Sequence, residues 1–368
     1  MSERLKILFV RTSMTYGGAD RITLNILKDF DRNLYKCDLA LVKKTGQYLN
    51  EIPSDVRVFD LKAINSFFSF FSIKDLLNKS DYDVVYSTCG GTNASTVVAA
   101  KLSGKQLKVV VSERNVMLPP GKNKVKQFLQ HRFKKLTYPK ADFVTVVSKA
   151  LEQEVLQETN TKPQRIKVLY NPVINNDLLQ QKEEVLNNVV FNSEKPVILA
   201  VGRFVYQKDY PTLFKAFQKV IQEVPAQLFI LGTGPLEEEL KKLVITMGLY
   251  ENITFGGFDK NPFKYMKNCS VFVLSSKHEG MPGVLIQAMA CGAPSVATDC
   301  PTGPSEVIEN GINGFLVPVE DDKKMAEKIL ELLGNEELRK KFSENSIQKL
   351  VPFHYKYAIN SYFEFLRN

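Results

Sequence analysis

Short, almost wholly apolar runs recur along this chain, with helix-patterned segments between them. KILFV (6–10), CDLALV (37–42), VRVFDL (56–61), DVVYST (83–88), KVVVSE (108–113) and FVTVVS (143–148) are the first six. Strands of this composition belong in a sheet covered on both faces. Their alternation with helices predicts a parallel α/β sheet. KVLYNPV (167–173) reads as the last strand and exit of a first domain, and the polar stretch NNDLLQQKEEVLNNVVFNSEKP as a linker. VILAVG (197–202) then opens a second series, continued by QLFIL (227–231), NITFGGF (252–258) and VFVL (271–274). A chain of 368 residues has room for two such domains. They are expected at 1–174 and 192–353, followed by a terminal segment, 354–368.

Ligands of doubly wound sheets bind at the carboxyl ends of the strands, so the loops there are where function is sought. In the first, RTSMTYGGADR, Gly17 and Gly18 let a ligand approach the backbone at a strand-to-helix turn. The G-x-G-x-x-G pattern is absent, which argues against a nicotinamide-dependent oxidoreductase. RFVYQKDYP places Arg203 and Lys208 ahead of a helix whose start is marked by Asp209 and Pro211. Two cations and a helix N-terminus suit a diphosphate. KHEGMPG leaves a strand over Val271–Leu274 and opens a helix near Pro282. Amides from Gly280 to Val284 at that N-terminus suit a phosphate, while Glu279 and Gln287, polar in an otherwise apolar helix, suit a polyhydroxylated ligand.

Charge narrows the partners only loosely. The net charge of +9 is compatible with nucleic acid, anionic lipid or a diphosphate substrate. No acidic residue falls between Glu113 and Asp142, where Arg114, Lys122, Lys124, Lys126, Arg132, Lys134, Lys135 and Lys140 all lie. Val125, Phe128, Leu129, Phe133 and Leu136 keep helical spacing inside that window. Either a basic helix lies on an anionic membrane, or its apolar stripe faces the core. FFSFF (67–71) is expected in the core, with membrane contact as the alternative. No apolar run approaches the roughly 18–20 residues of a membrane span. Five scattered cysteines without a C-x-x-C pair, and a start, MSERLKILFV, without a cleavable signal pattern, point to the cytoplasm.

The stretch E-G-x-P, an apolar run, then A-M-A-x-G-x-P-x-V-A-T is similar to the donor-binding signature of retaining glycosyltransferases of family 4. GPSEVIENGINGFLV, G-R-x-x-x-x-K at Gly202, Arg203 and Lys208, and GGA at 17–19 match as well. The resemblance implies a GT-B fold, two Rossmann-like domains facing a central cleft. The final helix would return to the first domain through Tyr357, Tyr362, Phe363 and Phe365. It also implies that Arg203, Lys208 and Glu279 carry the chemistry. Substrate would be bound by Gly17, Gly18, Arg114, Gly202, Gly280, Met281, Gly283, Val284 and Gln287.

Two positions depart from the family pattern. Gln287 stands where a second glutamate is usual, and Arg114 of SERN where related families often place a histidine; the other reading of Arg114 is a surface pair with Glu113. The departing phosphate is expected to take the acceptor proton, with no cofactor and no metal. SERN, the basic helix and CPTGPSEVI resemble bacterial enzymes of lipid-linked oligosaccharide and surface polysaccharide assembly. That implies a UDP-linked hexose or N-acetylhexosamine donor, with GDP-mannose still open. The acceptor would be a polyprenyl-diphosphate saccharide at the anionic inner face of the plasma membrane; nucleic acid is not an expected partner. A non-catalytic nucleotide-sugar binder and a nucleotide-sugar epimerase of similar fold are the alternatives.

Overall fold

The apolar runs become parallel strands of two sheets in a computed structural model that describes residues 3–15, 17–116 and 124–367. Contacts divide the chain into Met1–Pro172 with Tyr355–Asn368, and Val173–His354.

In the first unit the strands are β1 (Leu5–Arg11), β2 (Tyr35–Leu41), β3 (Val58–Asp60), β4 (Val84–Ser87), β5 (Lys108–Glu113), β6 (Phe143–Val146) and β7 (Ile166–Val168). Their order is β3-β2-β1-β4-β5-β6-β7. The helices α1 (Gly18–Asp29), α2 (Ser69–Asn78), α3 (Gly90–Ser103), α4 (Lys124–Thr137) and α5 (Lys149–Glu158) connect them. Ile7, Leu8, Phe9 and Val10 are fully buried, as a strand covered on both faces requires.

The second unit begins with α6 (Asn176–Gln181), where the sequence reads as linker, and its sheet is β10-β9-β8-β11-β12-β13. These strands are β8 (Val197–Val201), β9 (Gln227–Leu231), β10 (Ile253–Gly257), β11 (Val271–Leu274), β12 (Ser295–Thr298) and β13 (Phe315–Val317). Its further helices are α7 (Tyr210–Glu223), α8 (Glu237–Thr246), α9 (Phe263–Asn268), α10 (Gly283–Ala290), α11 (Pro304–Val307), α12 (Asp322–Gly334) and α13 (Glu336–Lys349). On α7 the buried residues Leu213, Phe214, Phe217 and Val220 recur at helical spacing and form one core-facing stripe.

Both sheets reverse their winding once, between β1 and β4 and between β8 and β11. At such a switch point the neighbouring loops leave in opposite directions and open a crevice at the strands' carboxyl ends. The loops after β1, β8 and β11 are those with Gly17-Gly18, with Arg203 and Lys208, and with Glu279.

The last helix, α14 (Tyr355–Arg367), belongs to the first unit. Phe363 packs on Tyr35 with ring centroids 4.6 Å apart, and Phe365 meets Phe143 edge-on at 5.1 Å. Tyr362 and Phe363 are buried, but Tyr357 is exposed and takes no part; Ile359 and Leu366 complete the packing face.

Two expectations change in this unit. FFSFF is not core: Phe67, Phe68 and Phe71 are exposed, together with Ile64. The inward positions of α2 are Ser69, Ile73 and Leu77, four residues apart, and that spacing turns Phe68 and Phe71 outward. On α4, Phe128, Leu129 and Leu136 are also exposed, so its apolar stripe does not face the core. Lys122 lies outside the described residues, as do the side chains of Lys124, Val125 and Lys126.

Candidate active site

Lys208 ends a 3-10 turn, Tyr206–Lys208, in the loop that follows β8. Its Nζ lies 2.6 Å from Glu279 Oε1, and both side chains are largely buried. Gly202 makes this possible, because a Cβ there would stand 3.3 Å from Lys208 Cε and 3.2 Å from Tyr210 Oη. Behind it Gly232, at φ +147°, brings its loop against the Gly202 carbonyl, 1.9 Å from where a Cβ would sit. Only glycine fits that position.

The loop carrying Glu279 is held by partners that sequence reading missed. Ser276 Oγ donates to Glu279 Oε1 at 2.7 Å, and the Thr302 hydroxyl donates to the Glu279 carbonyl. Ser275 Oγ donates to the Lys208 carbonyl at 2.7 Å, and Gln207 Nε2 to the His278 carbonyl at 2.7 Å. The Lys277 amide closes the clasp on the Gln207 carbonyl at 2.8 Å. The two loops therefore form one braced unit around the ion pair. Their signal in the sequence, small hydroxyl residues just past a strand, is too common to single them out. Burial holds the His278 imidazole below its usual pKa.

Asp209 sits in the left-handed region (φ 47°, ψ 49°) and does not cap α7 with its side chain, which instead accepts from Thr212 Oγ1 at 2.7 Å. Arg203 is exposed, and among the described residues no carboxylate pairs with it. At α10, Pro282 is the residue before the helix and its carbonyl accepts the Leu285 and Ile286 amides. Among the described residues the amides of Gly280, Met281, Gly283 and Val284 have no acceptor. Gln287 is half-buried with no side-chain hydrogen bond among the described residues. This corner thus presents a free guanidinium, an ammonium, free amides at the helix's positive end and an unused amide side chain. Such a set is chemically suited to a diphosphate and to hydrogen bonds with hydroxyl groups.

In the first unit, Gly17 precedes α1 and Gly18 is its first residue, with open space around Gly18. Arg114 makes no surface pair with Glu113. Its Nη1 donates to Asn171 Oδ1 at 3.0 Å and its Nη2 to Tyr362 Oη at 3.4 Å. Glu113 is buried and bound by Lys134 Nζ at 2.7 Å and Tyr138 Oη at 2.6 Å. Successive residues leaving a strand point to opposite sides, and that alternation separates the two.

Two family models cover most of the chain: Glycosyl transferases group 1 matches residues 181–349, and Glycosyltransferase Family 4 matches residues 16–175. The chain is 27% identical over 354 residues to the N-acetylgalactosamine-N,N'-diacetylbacillosaminyl-diphospho-undecaprenol 4-alpha-N-acetylgalactosaminyltransferase of Campylobacter jejuni, covering 93% of each chain. A second Campylobacter jejuni protein is a GalNAc-alpha-(1->4)-GalNAc-alpha-(1->3)-diNAcBac-PP-undecaprenol alpha-1,4-N-acetyl-D-galactosaminyltransferase. It is 26% identical, over 95% of this chain and 94% of its own. Among solved structures, Anabaena HepE in complex with UDP superposes with a TM-score of 0.79 at 20% identity, covering 99% of this chain and 100% of that one. Sucrose-phosphate synthase of Thermosynechococcus elongatus gives 0.81 at 17% identity, covering 99% and 98%.

Proposed function

The chain belongs to the group 1 and family 4 glycosyltransferases of GT-B fold, and on that premise we propose that it transfers an N-acetylhexosamine or hexose from a UDP-linked donor to a polyprenyl-diphosphate-linked saccharide, retaining the anomeric configuration. The observation that carries the reading is the braced Lys208–Glu279 pair, with Arg203 on the same loop as Lys208 and, at the start of α10, amides without an acceptor among the described residues. As the glycosidic bond breaks, negative charge grows on the leaving diphosphate. Arg203, Lys208 and the amides of Gly280, Met281, Gly283 and Val284 stabilise it, being already in place before the reaction. Glu279 accepts hydrogen bonds from sugar hydroxyls, and Gln287 meets the ribose. Charge compensation comes from the protein, so activity is expected to survive chelation of divalent ions.

Two relatives matched over nearly their whole length carry undecaprenol-linked substrates in their names, which supports the acceptor class. Among the described residues no helix is long and apolar enough to cross a membrane. On this reading the protein acts as a peripheral enzyme at the inner face of the plasma membrane. Its contact surface would be the exposed Phe67, Phe68 and Phe71 with Phe128 and Leu129 of α4. Phe67 and Phe133 rings, 5.1 Å apart, join the two segments, and Arg132 lies over the Phe128 ring. Apolar side chains rimmed by cations suit an anionic lipid surface.

The deciding experiment incubates the protein with UDP-N-acetylgalactosamine, UDP-N-acetylglucosamine or UDP-glucose and an undecaprenyl-diphosphate saccharide, with and without EDTA. Transfer to the lipid, with an α-anomer by proton coupling constants from an α-linked donor, is the expected result. Donor consumption without acceptor would indicate an epimerase, and binding without turnover a non-catalytic protein.

Gln287 gives a sharper test of donor contact. A carboxylate would accept from both ribose hydroxyls with charge-assisted bonds, whereas glutamine offers one acceptor oxygen. Gln287→Glu should bind the nucleotide sugar at least as tightly as the natural protein. Gln287→Ala should bind more weakly by about 1 kcal/mol. Calorimetric affinities equal for all three would remove residue 287 from the ribose.

A further inference from the structure

A buried ion pair stands behind the glycine loop of the first unit. Arg11, the last residue of β1, is 3% exposed, and its Nη2 pairs with Asp20 Oδ1. Its Nη1 donates to Thr23 Oγ1 at 2.9 Å and to the Thr88 carbonyl and hydroxyl at 2.9 and 3.1 Å. Nε is buried without a partner. Asp20 lies in the first turn of α1, and its Oδ2 accepts the Thr15 hydroxyl at 2.7 Å. That same oxygen would lie 3.0 Å from a Cβ at Gly17. The Gly17 carbonyl in turn accepts the Asp20 and Arg21 amides, each at 3.0 Å. One carboxylate thereby ties together the strand end, the loop and the helix.

Stability alone does not account for this arrangement. A buried ion pair does little more than offset its own desolvation, and apolar residues of similar volume serve as well or better. The unbonded Nε adds a further cost. Anion binding makes an unpaired Asp20 worse still, since it would place a negative charge at the helix end where a phosphate is favoured. Arg11 cancels that charge and leaves the carboxylate free to brace the loop.

We infer that Arg11 is a positioning residue for a substrate diphosphate at the Gly17-Gly18 loop, neutralising Asp20 while Asp20 holds the loop in shape. The inference rests on the proposed reading of a glycosyltransferase with diphosphate substrates. It differs from a purely structural role in one respect: the two halves of the pair should not be equivalent.

The test is calorimetric and needs no turnover. Arg11→Met, Asp20→Asn and the double variant are titrated separately with UDP-N-acetylgalactosamine and with a short-chain polyprenyl-diphosphate saccharide. Arg11→Met should weaken one of these ligands about tenfold or more, because it leaves a like charge beside the phosphate. Asp20→Asn should lose thermal stability, with a buried guanidinium unpaired, but not affinity. The double variant should recover affinity to within a few-fold. Weakening of the first ligand places the nucleotide's diphosphate at the loop, and weakening of the second the lipid's. Equal loss in both single variants, or no recovery in the double, would make the pair a brace only and overturn the inference. Should Arg11→Met not fold, Arg11→Lys keeps the charge without the fork and must retain affinity. Failure of the natural protein to bind either ligand would overturn the functional reading itself; binding with symmetric effects would overturn only this inference.

Discussion

Replacing Lys208 by alanine is expected to lower kcat/KM by about 2–4 kcal/mol of transition-state stabilisation, the cost usual for losing one donor from a charge-stabilising site. The same change strands Glu279, which is 8% exposed and, among the described residues, keeps only Ser276 as a side-chain partner on Oε1. Lys208→Ala should therefore also melt at a lower temperature, since an uncompensated buried charge is left behind. Arg203→Ala separates the two effects. Its side chain is exposed with no carboxylate partner among the described residues, so stability should move by no more than about 0.5 kcal/mol. Its activity should fall as far as that of the lysine variant. Steady-state kinetics read beside thermal melts decide the matter. Near-natural kinetics for Arg203→Ala would take the diphosphate role away from this loop, and a double-mutant cycle between Lys208→Ala and Glu279→Gln measures how strongly the pair is coupled.

Serine at Phe67, Phe68 and Phe71 together should abolish most binding to vesicles containing anionic lipid. These rings are 51, 48 and 63% exposed, so their removal costs the fold little. Burying a phenylalanine from water stabilises by about 1.5–3 kcal/mol, so even partial insertion of three rings implies a loss of roughly thirtyfold or more in partitioning. Reversing charge at Arg132, Lys135 and Lys140 should weaken the same binding in a salt-dependent way, because screening acts on the electrostatic part and not on the apolar part. The aromatic variant should keep its activity on a short, water-soluble acceptor. Vesicle sedimentation unchanged by the three serines would leave the aromatic face without a membrane role.

The apolar runs determined the architecture without help from the tertiary structure. Strands such as β1 and β8 are apolar on both faces, and a backbone of that kind is stable only between two helical layers. The loops at strand ends were legible for the same reason, since Gly17, Gly18, Gly202 and Pro282 mark turns whose chemistry is local. Arg203, Lys208 and Glu279 stood out because two cations fall just ahead of a helix start and all three match the family signature. What the sequence could not determine is which partner each polar group takes. Glu113 and Arg114 are adjacent, yet Glu113 binds Lys134 and Tyr138 while Arg114 binds Asn171 and Tyr362. Arg11 and Asp20 look unremarkable nine positions apart and meet only because β1 delivers its last residue to the first turn of α1. Periodicity likewise shows that a helix has an apolar side, but not what covers it. In α2 four-residue spacing leaves Ser69, Ile73 and Leu77 inside and turns Phe71, and Phe68 just before the helix, outward, a choice made by the neighbouring α3. Local chemistry is written residue by residue, whereas pairing and burial depend on which distant segments the folded chain brings within a few ångströms.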